Sequence, residues 1–165
     1  MKKVIVDASP LIFVAKADML GVFKRMYKKV TLTEMIMREI EKPIELGYRA
    51  PEISLIKSAN LIETEALTAK EIVEAQGVSR RHNIGSGESE AGVLFRRGGF
   101  DLVVAADIRA QRKLREMGVN VMDLVDVGFE AARRGIMNPR EFAKRLYERG
   151  HYRTQRIKDI LGRKE

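Results

Sequence analysis

Apolar residues along the chain fall into two patterns that alternate, and the alternation predicts strands interleaved with helices. Short unbroken apolar runs bounded by polar residues mark strands buried on both faces. Val4, Ile5 and Val6 form the first such run, Val30–Leu32 the second, and Leu102–Ala106 the clearest. Leu61–Thr64 reads as an edge strand and Val119–Met122 as a further one. Elsewhere apolar residues recur every three or four positions, the period of a helix with one buried face. Ser9, read as an N-cap with Pro10 at the first helical position, opens a short helix to about Ala17. Asp18 heads a helix over Met19–Tyr27, and Thr33 caps one from Glu34 to about Glu41, ended near Pro43. Further helices are predicted over Pro51–Ala59, Thr68–Gln76, Glu88–Arg97 and Ile108–Met117. Others run from about Leu124 to Arg134, from Asn138-Pro139 to about Arg149, and over Tyr152–Leu161. The polar stretch Ser79–Gly87 reads as a loop.

Strands alternating with helices imply a mostly parallel sheet covered on both faces, an α/β/α sandwich. At 165 residues one core suffices. We divide the chain into a main domain, 1–137, and a basic helical extension, 138–165, packed on it. Of the net charge of +8, +7 lies between Arg133 and Glu165, which suggests a polyanionic partner such as nucleic acid. The commoner explanation of such a run is a solvated helical face. The absence of Cys excludes disulfides and Cys-based zinc sites, and His82 and His151 have no ligand spacing. No apolar run approaches the ~20 residues of a membrane span, so a cytoplasmic protein without membrane association is expected.

Candidate chemistry rests on carboxylates. Asp7 and Asp107 each stand at the C-terminal end of a buried strand, where open α/β sheets bind ligands. On the Thr33-capped helix the apolar face centres near Ile36; Glu39 lies at its border, whereas Glu34 and Glu41 point away. On the helix after Gly87, Glu88 and Glu90 diverge by about 200°, so both do not enter one small site. Glu88 is the nearer to the buried face formed by Ala91, Leu94 and Phe95, and Glu90 is the secondary candidate. Four carboxylates at one edge repel each other unless cations compensate them, and all-oxygen ligands suit Mg²⁺ or Mn²⁺. One or two such ions can activate water and stabilise the leaving oxygen of a phosphodiester. Asp123 and Asp126 follow the last strand and rank lower, because capping explains them equally well. Arg109, Arg112 and Lys113 are the nearest basic residues, and Arg149, Arg153 and Arg156 extend the basic tail.

The segments VIVDASPLI, TLTEMIMREI, GSGESEAGVLFRRGG and LVVAADIRAQRKLREMGVNV resemble, in that order, the acidic motifs of PIN-domain proteins. EAARRGIM and NPREFAKRLYERGHYRTQRIKDIL are similar to the C-terminal part of a prokaryotic subfamily related to VapC-type toxins. The resemblance implies a PIN-like α/β/α sandwich and a metal-dependent single-strand endoribonuclease, either the toxin of a toxin–antitoxin pair or a housekeeping nuclease. It places the four catalytic and metal-binding acids on Asp7, Glu39, Glu88 and Asp107, with Ser9 as a small hydroxyl residue near the first. Single-stranded RNA, an antitoxin protein and a second copy of the chain are the implied partners. The sequence departs from the family pattern in having Glu as third acid, and Gln111 where many toxins carry a further acid. The alternative is a non-catalytic PIN-fold RNA-binding or regulatory module. A phosphatase is disfavoured, because Ser9 stands where a second Asp would be required.

Overall fold

The computed structural model describes residues 1–162. Arg163, Lys164 and Glu165, the end of the predicted basic extension, lie outside the described residues. Five strands, β1 (Val4–Val6), β2 (Val30–Thr33), β3 (Ile62–Glu65), β4 (Leu102–Val104) and β5 (Val121–Met122), form one sheet in the order β3-β2-β1-β4-β5. Every pairing is parallel. Ten helices flank it among the described residues, giving an α/β/α sandwich. They are α1 (Ala8–Lys16), α2 (Leu20–Tyr27), α3 (Glu34–Glu45), α4 (Pro51–Ser58) and α5 (Ala69–His82). The remainder are α6 (Ser86–Arg97), α7 (Ile108–Glu116), α8 (Leu124–Arg133), α9 (Pro139–Glu148) and α10 (Gln155–Leu161). None is long and apolar enough to cross a membrane.

The runs of β-branched and aliphatic residues explain the sheet's position. β1 and β4 are wholly buried, as expected where both sheet faces are covered. β3, with its polar Glu63 and Thr64, takes the edge. From β1 the chain winds outward to β2 and β3, then returns beyond β1 to β4 and β5. The strand order therefore reverses between β1 and β4, the place where such sheets open a crevice at their C-terminal ends. Register aligns Val6 with Val104, and the Asp7 N–H donates to the Val104 carbonyl at 3.0 Å. Asp7 and Asp107 thus sit on adjacent strands at that opening.

Several local expectations need correction. Helix α1 begins at Ala8 with Asp7 as its N-cap, so Ser9 and Pro10 are its second and third residues. Pro10 is still harmless there, because the first four helical N–H groups have no intrahelical acceptor. Helix α3 passes through Pro43 to Glu45, since a proline so near the end removes little of the hydrogen-bond ladder. Met19, not Asp18, is the N-cap of α2. Most consequential, the polar stretch from Ser79 to His82 is helical. Thr68 and Glu71 form a capping box that starts α5, and the burial of Ala75 and Val78 carries it to a left-handed Asn83.

The C-terminal segment docks through Phe142, Leu146, Ile157 and Leu161, which are buried, and Ile160, which is partly buried. Helix α9 lies against both α8 and α10. Phe142 fills the space left by Gly128, where a Cβ would stand 2.7 Å from its ring. Tyr152 meets Phe13 of α1 with ring centroids 5.0 Å apart.

Candidate functional site

Asp7, Glu88 and Asp107 are presented by the ends of elements at the sheet's C-terminal edge, and Glu39 by the middle of α3. Asp7 follows β1 and Asp107 follows β4, both as N-caps. Glu39 comes from the border of α3, which Thr33 starts by accepting the Ile36 N–H. Glu88 is the third residue of α6.

A short glycine motif holds the two glutamates. The Gly87 N–H donates to Glu39 Oε1 at 3.0 Å, so the α3 carboxylate caps the first turn of α6 from outside. A Cβ at Gly87 would stand 2.7 Å from Glu39 Oε2 and 2.9 Å from Oε1; only glycine permits that approach. Glu88 turns back over Gly85, accepting its N–H, and a Cβ there would lie 3.2 Å from Glu88 Oε1. Gly85-Ser86-Gly87 therefore seats both carboxylates side by side.

Asp7 lies at the centre of this arrangement. It is 5% exposed, and among the described residues its Oδ1 has no hydrogen-bond partner. Burial pushes its carboxyl up to about 7, with Glu39 and Asp107 adding repulsion and the Ala8 N–H only partly offsetting it. Glu88 is also pushed up to about 7, by burial first and then by Asp7, Asp107 and Glu39. Burial raises Glu39 as well, with Glu90 adding repulsion, against the Gly87 N–H and Lys42. Asp7, Glu39, Glu88 and Asp107 thus act on one another, and among the described residues no Lys or Arg is a leading influence on Asp7 or Glu88. Among the described residues, no three His, Asp or Glu side chains form a ready metal cage. The donor set is nevertheless all-oxygen and undercompensated, with a buried oxygen lacking any partner, which fits a hard divalent cation.

Other candidates lie elsewhere or are engaged. Glu90, 8% exposed, faces the Thr33 hydroxyl, the Met35 backbone and Arg38, away from Asp7; burial still raises its carboxyl. Its divergence from Glu88 is the helical geometry expected of residues two apart. Ser9 is exposed on α1. Asp123 and Asp126 form a capping box at the start of α8, and both accept from Arg156, at 2.7 and 3.1 Å. Gln111 is buried and donates to the Ala105 carbonyl at 2.8 Å, bracing the end of β4.

The basic residues sort in the same way. Arg109 and Arg112 are exposed on α7, while Lys113 stands 3.5 Å from Glu116. Arg153 lies over the Tyr147 ring and donates to its carbonyl, and Arg145 pairs with Glu141. Arg149 is exposed. Much of the tail's charge is therefore engaged internally. Sequence reasoning missed Arg80 and Arg81, exposed on the last turn of α5 shortly before Gly85. The signal was present in the Thr68 capping box and the buried Val78, which extend that helix to His82.

The profile of the DUF3368 family, described as a PIN domain, matches residues 3–162. The chain belongs to this PIN-domain family. PIN domains are generally nucleases that use divalent metal ions, so the fold here is of nuclease type. The crystal structure of PAE2754 from Pyrobaculum aerophilum is similar, with a TM-score of 0.58 and 14% identity, covering 82% of this chain and 91% of that one. At that identity the likeness speaks for the PIN fold alone. No curated protein sequence matches significantly.

Proposed function

We propose that this PIN domain is a divalent-metal-dependent endoribonuclease acting on single-stranded RNA, with Asp7, Glu39, Glu88 and Asp107 holding Mg²⁺ or Mn²⁺. The observation that carries the reading is the buried, unpartnered Oδ1 of Asp7 among mutually repelling carboxylates. A bound divalent cation would supply positive charge and Lewis acidity toward water and phosphate oxygens. The protein's own part is orientation. The Gly87 N–H fixes Glu39, the Gly85 N–H draws in Glu88, and Asp107 is held by the Ala110 N–H at 2.8 Å. Exposed Arg109 and Arg112, on the helix that Asp107 caps, and exposed Arg80, near the end of the helix before Gly85, can hold backbone phosphates.

A second reading keeps the fold without turnover. Glu39, Glu88 and Asp107 all accept helix N-terminal N–H groups, a role that is useful in an inert RNA-binding module too. Cleavage of unstructured RNA by repurified wild type and Asp107→Asn, with Mn²⁺ or EDTA, separates the two. The nuclease reading expects Mn²⁺-dependent cleavage that Asp107→Asn abolishes. Equal activity of the two proteins removes it. In the subfamily related to VapC-type toxins, an antitoxin protein and a second copy of the chain would be partners.

A further inference from the structure

Beside the carboxylates, beyond the ends of β4 and β5, lies a cavity of about 240 Å³. It is lined by Ile108, Gln111, Arg115, Tyr152, Gln155 and Arg156, with Asp123 at its wall. Its location follows from the topology. Ile108 is the residue after Asp107, and Asp123 follows the strand adjacent to β4, about 4.8 Å away. The metal-dependent reading of the acidic edge makes no use of this space.

The lining points to a flat, uncharged, polar ligand. Arg156 donates from Nη1 to Asp123 and from Nη2 to Asp126, so its charge is balanced and its plane is held by two carboxylates. Those bonds lie in the guanidinium plane and leave its faces for stacking, the contact by which arginines hold unstacked bases. A phosphate is disfavoured, since it would approach Asp123 and Asp126 as well as the arginine. Ile108, 63% exposed, supplies an apolar surface. Gln155 uses its Nε2 on Asp159 and Gln111 uses its Nε2 on the Ala105 carbonyl, so each retains its carbonyl oxygen as an acceptor. Arg115, anchored by Nη2 to the Val121 carbonyl, retains further donors. Donors and acceptors around stacking surfaces are the means by which proteins read the edge of a splayed base. The volume lies below the roughly 300 Å³ at which pockets for drug-sized ligands begin, and it suits one ring system better than a whole nucleotide.

We infer that this cavity receives the base of the nucleotide next to the cleaved phosphate, stacked on Arg156, and so determines where RNA is cut. The inference rests on the nuclease reading of the acidic edge. Binding of the full-length protein to short single-stranded RNAs, each with one abasic position, tests it in EDTA, where cleavage is suppressed. One abasic position should weaken binding about tenfold. Arg156→Lys, which keeps the charge and loses the plane, should remove that sensitivity, as should Ile108→Ser, whose exposed position does not threaten folding. Mn²⁺-dependent cutting should become less selective for sequence in both variants. Uniform tolerance of abasic positions, or sensitivity that survives both substitutions, overturns the pocket while leaving Mn²⁺-dependent cleavage in place. Absence of RNA binding altogether overturns the pocket, and the nuclease reading falls with it only if Mn²⁺-dependent cleavage is absent too.

Discussion

Replacing Asp7 by Asn should stabilise the metal-free protein, and more at alkaline than at acid pH. Folding pushes this carboxyl from its ordinary 3.8 up to about 7. Below 3.8 both folded and unfolded chains hold the proton, so no penalty exists. As pH rises toward 7 the unfolded chain ionises first and the fold is progressively penalised; above 7 the penalty is constant. At 1.36 kcal/mol per pH unit, the shift corresponds to about 4 kcal/mol at pH 8 and about 2 kcal/mol at pH 5. An asparagine left partly unpaired in the same place costs ~1–3 kcal/mol. The net gain is therefore ~1–3 kcal/mol at pH 8 and near zero at pH 5. At ~2–4 °C per kcal/mol for a chain of this size, the midpoint should rise by about 2–12 °C at pH 8. Calorimetry in EDTA at the two pH values reads this directly. Mn²⁺ at 100 times its Kd should then stabilise wild type by ~2.7 kcal/mol and leave the variant almost unmoved. A lower midpoint for Asp7→Asn at pH 8 than for wild type would refute the reasoning, because the carboxylate would then be stabilising the fold.

Gly87→Ala should drive Glu39 from its seat, since the added Cβ overlaps both carboxylate oxygens. Calorimetric titration should find Mn²⁺ affinity reduced about tenfold with the fold retained, and unchanged affinity would detach Glu39 from the site. Glu88→Gln should weaken Mn²⁺ binding by a similar factor, while Glu90→Gln, which faces Thr33 and Arg38, should not; the reverse order would show that the wrong face of α6 was chosen. Arg149→Gln should flatten the slope of log affinity for single-stranded RNA against log salt by about 0.7 if it touches phosphate. Arg156→Gln should leave that slope unchanged, because Asp123 and Asp126 already balance its charge; a drop of the same size would show that it contacts phosphate.

The sheet was legible because its signals are local and strong. Val4–Val6 and Leu102–Val104 are continuous apolar runs, and nothing but a doubly covered strand accommodates them. The face of α3 that brings Glu39 to the edge follows from helical period alone, and so does the divergence of Glu88 from Glu90. Capping chemistry was harder to read. Ser9-Pro10 looks like a helix start, yet Asp7 takes the cap because β1 ends at Val6 and the chain turns at once. The reach of α5 depended on Val78 finding a buried place, which only the tertiary fold supplies. By sequence alone Gly85 belongs to a loop and Gly87 to a helix start. Their function as seats for two carboxylates depends on a helix 48 residues earlier in the chain. Long-range ion pairs were invisible for the same reason. Arg156 meets Asp123 across 33 residues, so a charge count assigned to solvent or RNA what the fold uses internally.

The central claim is that Asp7, Glu39, Glu88 and Asp107 together hold a divalent cation at the opening between β1 and β4. Anomalous scattering from a crystal grown with Mn²⁺ tests it most directly. A peak is expected within ligand distance, about 2.0–2.2 Å, of carboxylate oxygens that include Asp7 Oδ1. A peak at Glu90 or at the Asp123–Asp126 pair, with none beside Asp7, would contradict it.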